Sequence, residues 1–139
     1  MISAVDTSIL LDTFRADPEH FESSLQLLRE SELQGRLIIC LAVWAELSPQ
    51  APNAAFLDGL LNEHGIELVP FDEAAVKPVI EKAYKSYLKQ RQKSRLPAPR
   101  RVATDFLIGA HAQTCADRLL SRDAGFFRRH FRGLRVVSP

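Results

Sequence analysis

Five short apolar runs punctuate the chain, and stretches with a longer period separate them. The runs are Ile2 to Val5, Arg36 to Cys40 (RLIIC), Ile66 to Phe71 (IELVPF), Arg118 to Ser121 and Leu134 to Val137. Each is dominated by β-branched or leucine residues, the pattern of strands buried on both faces. Between them, apolar residues recur at helical spacing. Thr7 to about Phe14 is predicted helical. Asp17 and Pro18 supply an N-cap and a first helical residue, and Phe21, Leu25 and Leu28 continue the face until Gly35. A helix is expected around Ala42 to Leu47, ending near Ser48-Pro49. Another over Asn53 to Glu63 carries Phe56, Leu57, Leu60 and Leu61 on one face and stops at Gly65. Asp72 caps a long helix towards Lys93, in which Pro78 predicts a kink or a fresh start. Leu96 to Arg101 (LPAPRR) reads as a proline-rich loop, followed by helices over Ala103 to Ala116 and Gly125 to Phe131.

Strands alternating with helices argue for a parallel sheet covered on both faces. The expected architecture is therefore one α/β domain over residues 1–139: a three-layer α/β/α sandwich about a mostly parallel sheet of about five strands. No internal repeat or low-complexity segment divides it.

Composition removes several classes. A hydrophobic fraction of 46% with 25% charged residues is ordinary for a globular domain and excludes disordered and fibrous chains. The longest apolar run, Leu37 to Ala45, falls far short of the ~20 residues a membrane-spanning helix needs. No basic-then-apolar leader opens the chain, so a cytoplasmic protein is expected. Cys40 and Cys115 lack CxxC spacing and read as buried free thiols.

The near-zero net charge hides an asymmetry. Residues 1–83 hold 5 Lys/Arg and 14 Asp/Glu, whereas residues 84–139 hold 13 Lys/Arg and 3 Asp/Glu. A surface facing a polyanion, made mostly by the last third, is the expectation. The stretch Tyr84 to Arg101 has seven cations and no acid. The stretch, which ends in Arg100 and Arg101, is with Arg122, Arg128, Arg129 and Arg132 a candidate phosphate track, against the plainer reading of a solvated helix face and loop.

Candidate chemistry lies with the acids. In an open α/β sheet, sites form outside the carboxyl ends of the strands. Asp6 directly follows the first strand and Asp123 follows the fourth. Asp117 precedes the fourth strand and belongs ~15–20 Å away at the opposite edge. Asp105 lies in the first turn of the helix before that strand, and Glu46 is a lone acid in CLAVWAEL. Capping accounts for any one of these acids taken alone. Together, four acids in apolar strings can converge at one edge. Converging carboxylates repel and raise one another's pKa unless a cation is shared. Hard oxygen donors suit Mg²⁺ or Mn²⁺, and the histidines lack zinc spacing. Such a metal beside a basic surface implies phosphodiester chemistry.

At these residues the sequence resembles the PIN-domain ribonucleases, specifically the VapC-type toxins of VapBC toxin–antitoxin pairs. VDTSILLD (Val5–Asp12), VWAEL (Val43–Leu47), TDFLIGAHA (Thr104–Ala112) and LLSRDAGFFRRHFRGLRVVSP (Leu119–Pro139) carry the resemblance, in the family's motif order. It implies a flavodoxin-like sandwich in which Asp6, Glu46, Asp105 and Asp123 form the catalytic, metal-binding quartet, with Asp6 and Asp105 as the main ligands. Ser8 and Ser121 match supporting hydroxyl positions; many relatives have Thr at the latter. It also implies endonucleolytic cleavage of RNA, such as tRNA or rRNA loops, that leaves a 3′-hydroxyl and inhibits translation. A homodimer and a separate antitoxin that occludes the cleft complete the implied picture.

Neighbouring features have plainer readings. Trp44, Phe127 and Phe131 are expected in the core, while Tyr84, Tyr87 and Phe126 are open to base stacking. His111 reads as a hydrogen-bonded interior residue, and Gly109 as close packing or as space beside the site. A HAD-like phosphatase also places an aspartate after the first strand but needs an acid two residues on, where this chain has Ser8. A receiver domain needs paired acids and a late lysine, which the chain lacks. The non-enzymatic alternative is an RNA-binding module on the same scaffold.

Overall fold

The computed structural model describes residues 1–94 and 103–139. The expected proline-rich loop, with Arg100 and Arg101, lies outside them. The strands are β1 (Ile2–Val5), β2 (Arg36–Ile39), β3 (Ile66–Leu68), β4 (Arg118–Leu120) and β5 (Val136–Val137). The helices are α1 (Thr7–Phe14), α2 (Phe21–Gln34), α3 (Leu41–Leu47), α4 (Ala54–Glu63), α5 (Glu73–Lys93), α6 (Ala103–Cys115) and α7 (Ala124–His130), with a 3₁₀ turn at Ser48–Gln50.

Every strand pair is parallel and the order is β3-β2-β1-β4-β5. Connections step outward from β1 to β3, then cross back to β4 on the other side of β1. Right-handed crossovers in opposite directions put helices on both faces, giving the expected α/β/α sandwich. The reversal falls between β1 and β4. β1 is thus central, and the gap at the carboxyl ends of β1 and β4 is the switch point where such sheets bind ligands.

Local chemistry explains most element boundaries. Asp72 Oδ1 accepts from the Ala75 amide at 3.2 Å, the expected cap, and Asn53, expected inside its helix, instead caps it by accepting the Phe56 amide at 2.8 Å. Asp17 acts differently. Its carboxylate takes the Glu19 and His20 amides at 3.0 and 2.9 Å and stabilises a turn, so α2 begins only at Phe21. The strand expected to reach Phe71 ends at Leu68. The Val69 amide still donates to the Ile39 carbonyl at 2.9 Å, but Pro70 has no amide to continue the ladder. The expected Leu134–Val137 strand pairs only over its last two residues. Pro78 lies inside α5, which runs through it as one helix.

The core is continuous. Ile9, Leu10, Ile38, Ile39, Leu119 and Leu120 are fully buried about the central strands. Behind β4, Tyr87, Phe106, Phe126, Phe127 and Phe131 pack edge-on or tilted, with Phe106–Phe126 ring centroids 5.5 Å apart. Tyr87 and Phe126 therefore belong to the core and not to a base-stacking surface. A Cβ added at Gly109 would stand 2.5 Å from the Phe131 ring, so this glycine serves close packing. Cys40 is buried and Cys115 half-buried, both as free thiols.

Candidate metal centre

β1 delivers Asp6 to the carboxyl edge, at the N-cap position of α1. Its carboxylate makes no capping bond to the helix amides. Instead Oδ2 accepts the Ser121 hydroxyl at 2.6 Å and the Ser8 hydroxyl at 3.0 Å. Ser121 also accepts the Asp123 amide at 2.9 Å, so the loop after β4 is tied to the carboxylate after β1. Ser8 and Ser121, the two hydroxyls singled out in the sequence, thus both donate to Asp6.

Asp6 is only 6% exposed. Burial pushes its carboxyl above the usual range, the two serine hydroxyls and the Thr7 amide pull it back, and the charge of Glu46 pushes it up again. Glu46, on α3, is held by the Thr7 hydroxyl, which donates to Oε1 at 2.8 Å. Asp6, Glu46 and their hydroxyl partners thus form one network spanning β1, α1, α3 and β4. The position of Asp117 is also as expected. It lies at the opposite edge, where Oδ2 accepts the Ile2 amide at 2.6 Å.

Asp123 occupies the N-cap position of α7 without a capping bond from its side chain. Asp105 lies in the first turn of α6, which packs on β1 and α3. Beside it, the Thr104 hydroxyl is buried with no hydrogen-bond partner among the described residues. Among those residues, no three His, Cys, Asp or Glu side chains stand grouped closely enough to hold a metal ion. The structure therefore joins Asp6, Glu46, Ser8, Ser121 and the Asp123 backbone, but draws no group of three acids together.

These donors still fit a hard cation. All are carboxylate or hydroxyl oxygens, and Asp6 carries a charge that burial and Glu46 disfavour, which a cation would offset. The orphaned Thr104 hydroxyl adds a polar atom suited to a hydration shell.

Two arginines of the expected phosphate track have partners within the protein. Arg122 Nε and Nη2 close on Asp12 Oδ2 and Oδ1 at 2.8 and 2.9 Å, a bidentate pair. Ser24 donates to the same Asp12 at 2.6 Å. Arg128 Nη2 donates to the Val136 carbonyl at 2.8 Å. Both guanidinium groups are engaged within the protein, because each has a strong acceptor within reach. Asp12 and Ser24 escaped the sequence reading. The signal for Asp12 was an acid ending the apolar string ILLD, four residues after Ser8 and so on the same helix face. His111 is interior as expected: Nε2 donates to the Val69 carbonyl at 2.9 Å, and burial lowers its pKa.

A family model described as the PIN domain matches residues 4–131. No curated protein matches the chain in sequence. Among solved structures, VapBC2 from Rickettsia felis, bound to a DNA fragment from its promoter, is similar at 20% identity with a TM-score of 0.63, covering 100% of this chain and 99% of that one. FitAcB from Neisseria gonorrhoeae is similar at 20% identity and a TM-score of 0.64, over 98% and 96% of the two chains. DNA-bound VapBC from Salmonella typhimurium follows at 17% identity and 0.57, over 99% and 98%.

Proposed function

The chain belongs to the PIN-domain family, and from that premise we propose that it is a Mg²⁺- or Mn²⁺-dependent endoribonuclease, the toxin of a toxin–antitoxin pair. The observation that carries this reading is Asp6: a buried carboxylate at the switch point, its pKa raised, fixed by two hydroxyls and facing a second acid. Asp6, Glu46, Asp105 and Asp123 would hold the metal. Bound there, the ion supplies a Lewis acid and water of lowered pKa for attack on a phosphodiester.

The chain's own residues do the rest. Ser8 and Ser121 fix the Asp6 carboxylate by both donating to one oxygen, leaving the group oriented before any ion arrives. The Thr7 hydroxyl holds Glu46 beside it. The Ser121 hydroxyl takes the Asp123 amide and sets where α7 begins. On this reading, the acids on α3, α6 and the loop after β4 would serve the same sheet edge as Asp6.

The toxin assignment rests on the assemblies in which similar folds occur, VapBC and FitAB. An apolar groove of about 270 Å³, lined by Leu10, Phe14, Phe21, Leu25 and Leu28, supports a protein partner. Among the described residues, no helix is long and apolar enough to cross a membrane. The proposed setting is the cytoplasm, the substrate loops of tRNA or rRNA, and the assembly a homodimer that an antitoxin silences.

A fluorescent single-stranded RNA, incubated with and without Mg²⁺, tests the reading. Asp6→Asn and Asp105→Asn should each lower the cleavage rate ~100-fold or more while keeping a cooperative melt. Cleavage persisting in EDTA, or in both variants, would overturn it. The second reading, an RNA-binding module without catalysis, draws on the lack of a grouped acid triad among the described residues. RNA binding without Mg²⁺-dependent cleavage by the wild type would establish it.

A further inference from the structure

With Arg122 and Arg128 engaged inside the protein, a row of other cations lines a different groove. Lys82, Lys85, Lys89 and Lys93 follow one another at three- and four-residue intervals, which places them in one stripe along α5. The stripe is ~16 Å long at 1.5 Å per residue. Across from it, Arg132 follows the end of α7. The two walls enclose an open groove of about 560 Å³. At its floor Ser86 Oγ lies 2.9 Å from His130 Nδ1, so the walls are bonded to each other.

Two observations set the kind of ligand. Among the described residues, only Lys85 of these five cations has an acid partner, Glu81 at 2.6 Å. Among the described residues, Lys82, Lys89, Lys93 and Arg132 have no acid partner, and like charges held in line are relieved by an anion with repeated charges. Second, the lining contains no aliphatic or large aromatic residue. A protein segment would find no apolar anchor there. Lysines meet phosphates as point charges and read no base edge.

We propose that this groove binds the phosphate backbone of single-stranded RNA, holding the strand by contacts independent of sequence. The proposal rests on the RNA-cleaving reading above and adds where the substrate is held.

The test is equilibrium binding of a fluorescein-labelled oligouridine to the full chain in EDTA, by anisotropy over a range of KCl. For single strands, log affinity falls with log salt by ~0.7 per phosphate neutralised. The combined variant Lys82→Gln, Lys89→Gln, Lys93→Gln should bind ~10-fold more weakly, with a slope shallower by about 2. Arg132→Gln, on the other wall, should lose ~0.7 of slope; it decides the matter should the triple variant fail to fold. An unchanged slope in a variant that melts as the wild type does overturns the groove. An oligoglutamate that displaces the RNA at equal charge overturns its assignment to nucleic acid. Binding as expected without Mg²⁺-dependent cleavage removes the nuclease reading and leaves the groove standing. Cleavage with unaltered slopes removes the groove alone.

Discussion

Arg122 stands between Ser121 and Asp123, and it fastens their loop to α1 twice. Its amide reaches Ser8 Oγ at 3.4 Å, a long bond, and its guanidinium grips Asp12 with two short ones. Asp12 is only 2% exposed, so removing the guanidinium leaves a buried charge with the Ser24 hydroxyl as its remaining partner. Arg122→Ala should therefore destabilise the fold by about 2–3 kcal/mol in urea titrations. A loss below ~0.5 kcal/mol, the size expected of an ordinary surface change, would mean that the pair does not hold the loop. Ser121→Ala, which leaves Asp6 Oδ2 with the Ser8 hydroxyl alone, should weaken metal binding about 10–100-fold, as loss of an orienting hydrogen bond does. Calorimetric titration with Mn²⁺ reads it directly. The nearness of Asp6 and Glu46 was legible because each stands in an apolar string. The engagement of Arg122 was not, since its partner lies 110 residues away and charge alone does not say what it faces.

α6 concentrates three constraints in one helix. Asp105 opens it, Gly109 meets the Phe131 ring and His111 reaches across to Val69 beyond β3. Gly109→Ala drives a methyl into a buried aromatic and should cost about 1–3 kcal/mol by overpacking, and Phe131→Leu in the same chain should recover part of that. Full stability in Gly109→Ala alone would show that the ring moves aside freely. His111 gives a pH dependence. Its native pKa is lowered, so below about 6.5 the unfolded chain binds a proton that the folded chain does not. Stability is complete above that pH and falls as pH drops towards the lowered value. Melting curves from pH 7 to 5 should thus fall more steeply for the wild type than for His111→Gln; parallel curves would remove the effect. At this scale the sequence was most readable where a local rule acts alone, as in the cap at Asp72. It misled where two local rules compete. Asp17 caps a turn before it can cap a helix, and Pro70 ends a strand that its apolar neighbours would extend.

The whole molecule sets an acid-rich first half against a basic last third, and the candidate metal site falls at the edge between β1 and β4, which come from the two parts. A ligand that binds only the folded state stabilises it by mass action, ~2.7 kcal/mol at one hundred times its dissociation constant. Mn²⁺ should accordingly raise the melting temperature of the wild type and leave that of Asp6→Asn unmoved. A rise of equal size in both would place the ion elsewhere. The topology has a further consequence, in time. Ser121 and Asp6 are 115 residues apart, and β1 gains its β4 neighbour only after most of the chain exists. Contacts of such separation form late, and on a ribosome they wait for the C-terminal part of the chain to emerge. A nascent chain stalled before residue 118 carries Asp6, Glu46 and Asp105 but neither Ser121 nor Asp123. On the proposed RNA-cleaving reading, the ribosome making the chain meets a complete site only once synthesis is nearly done.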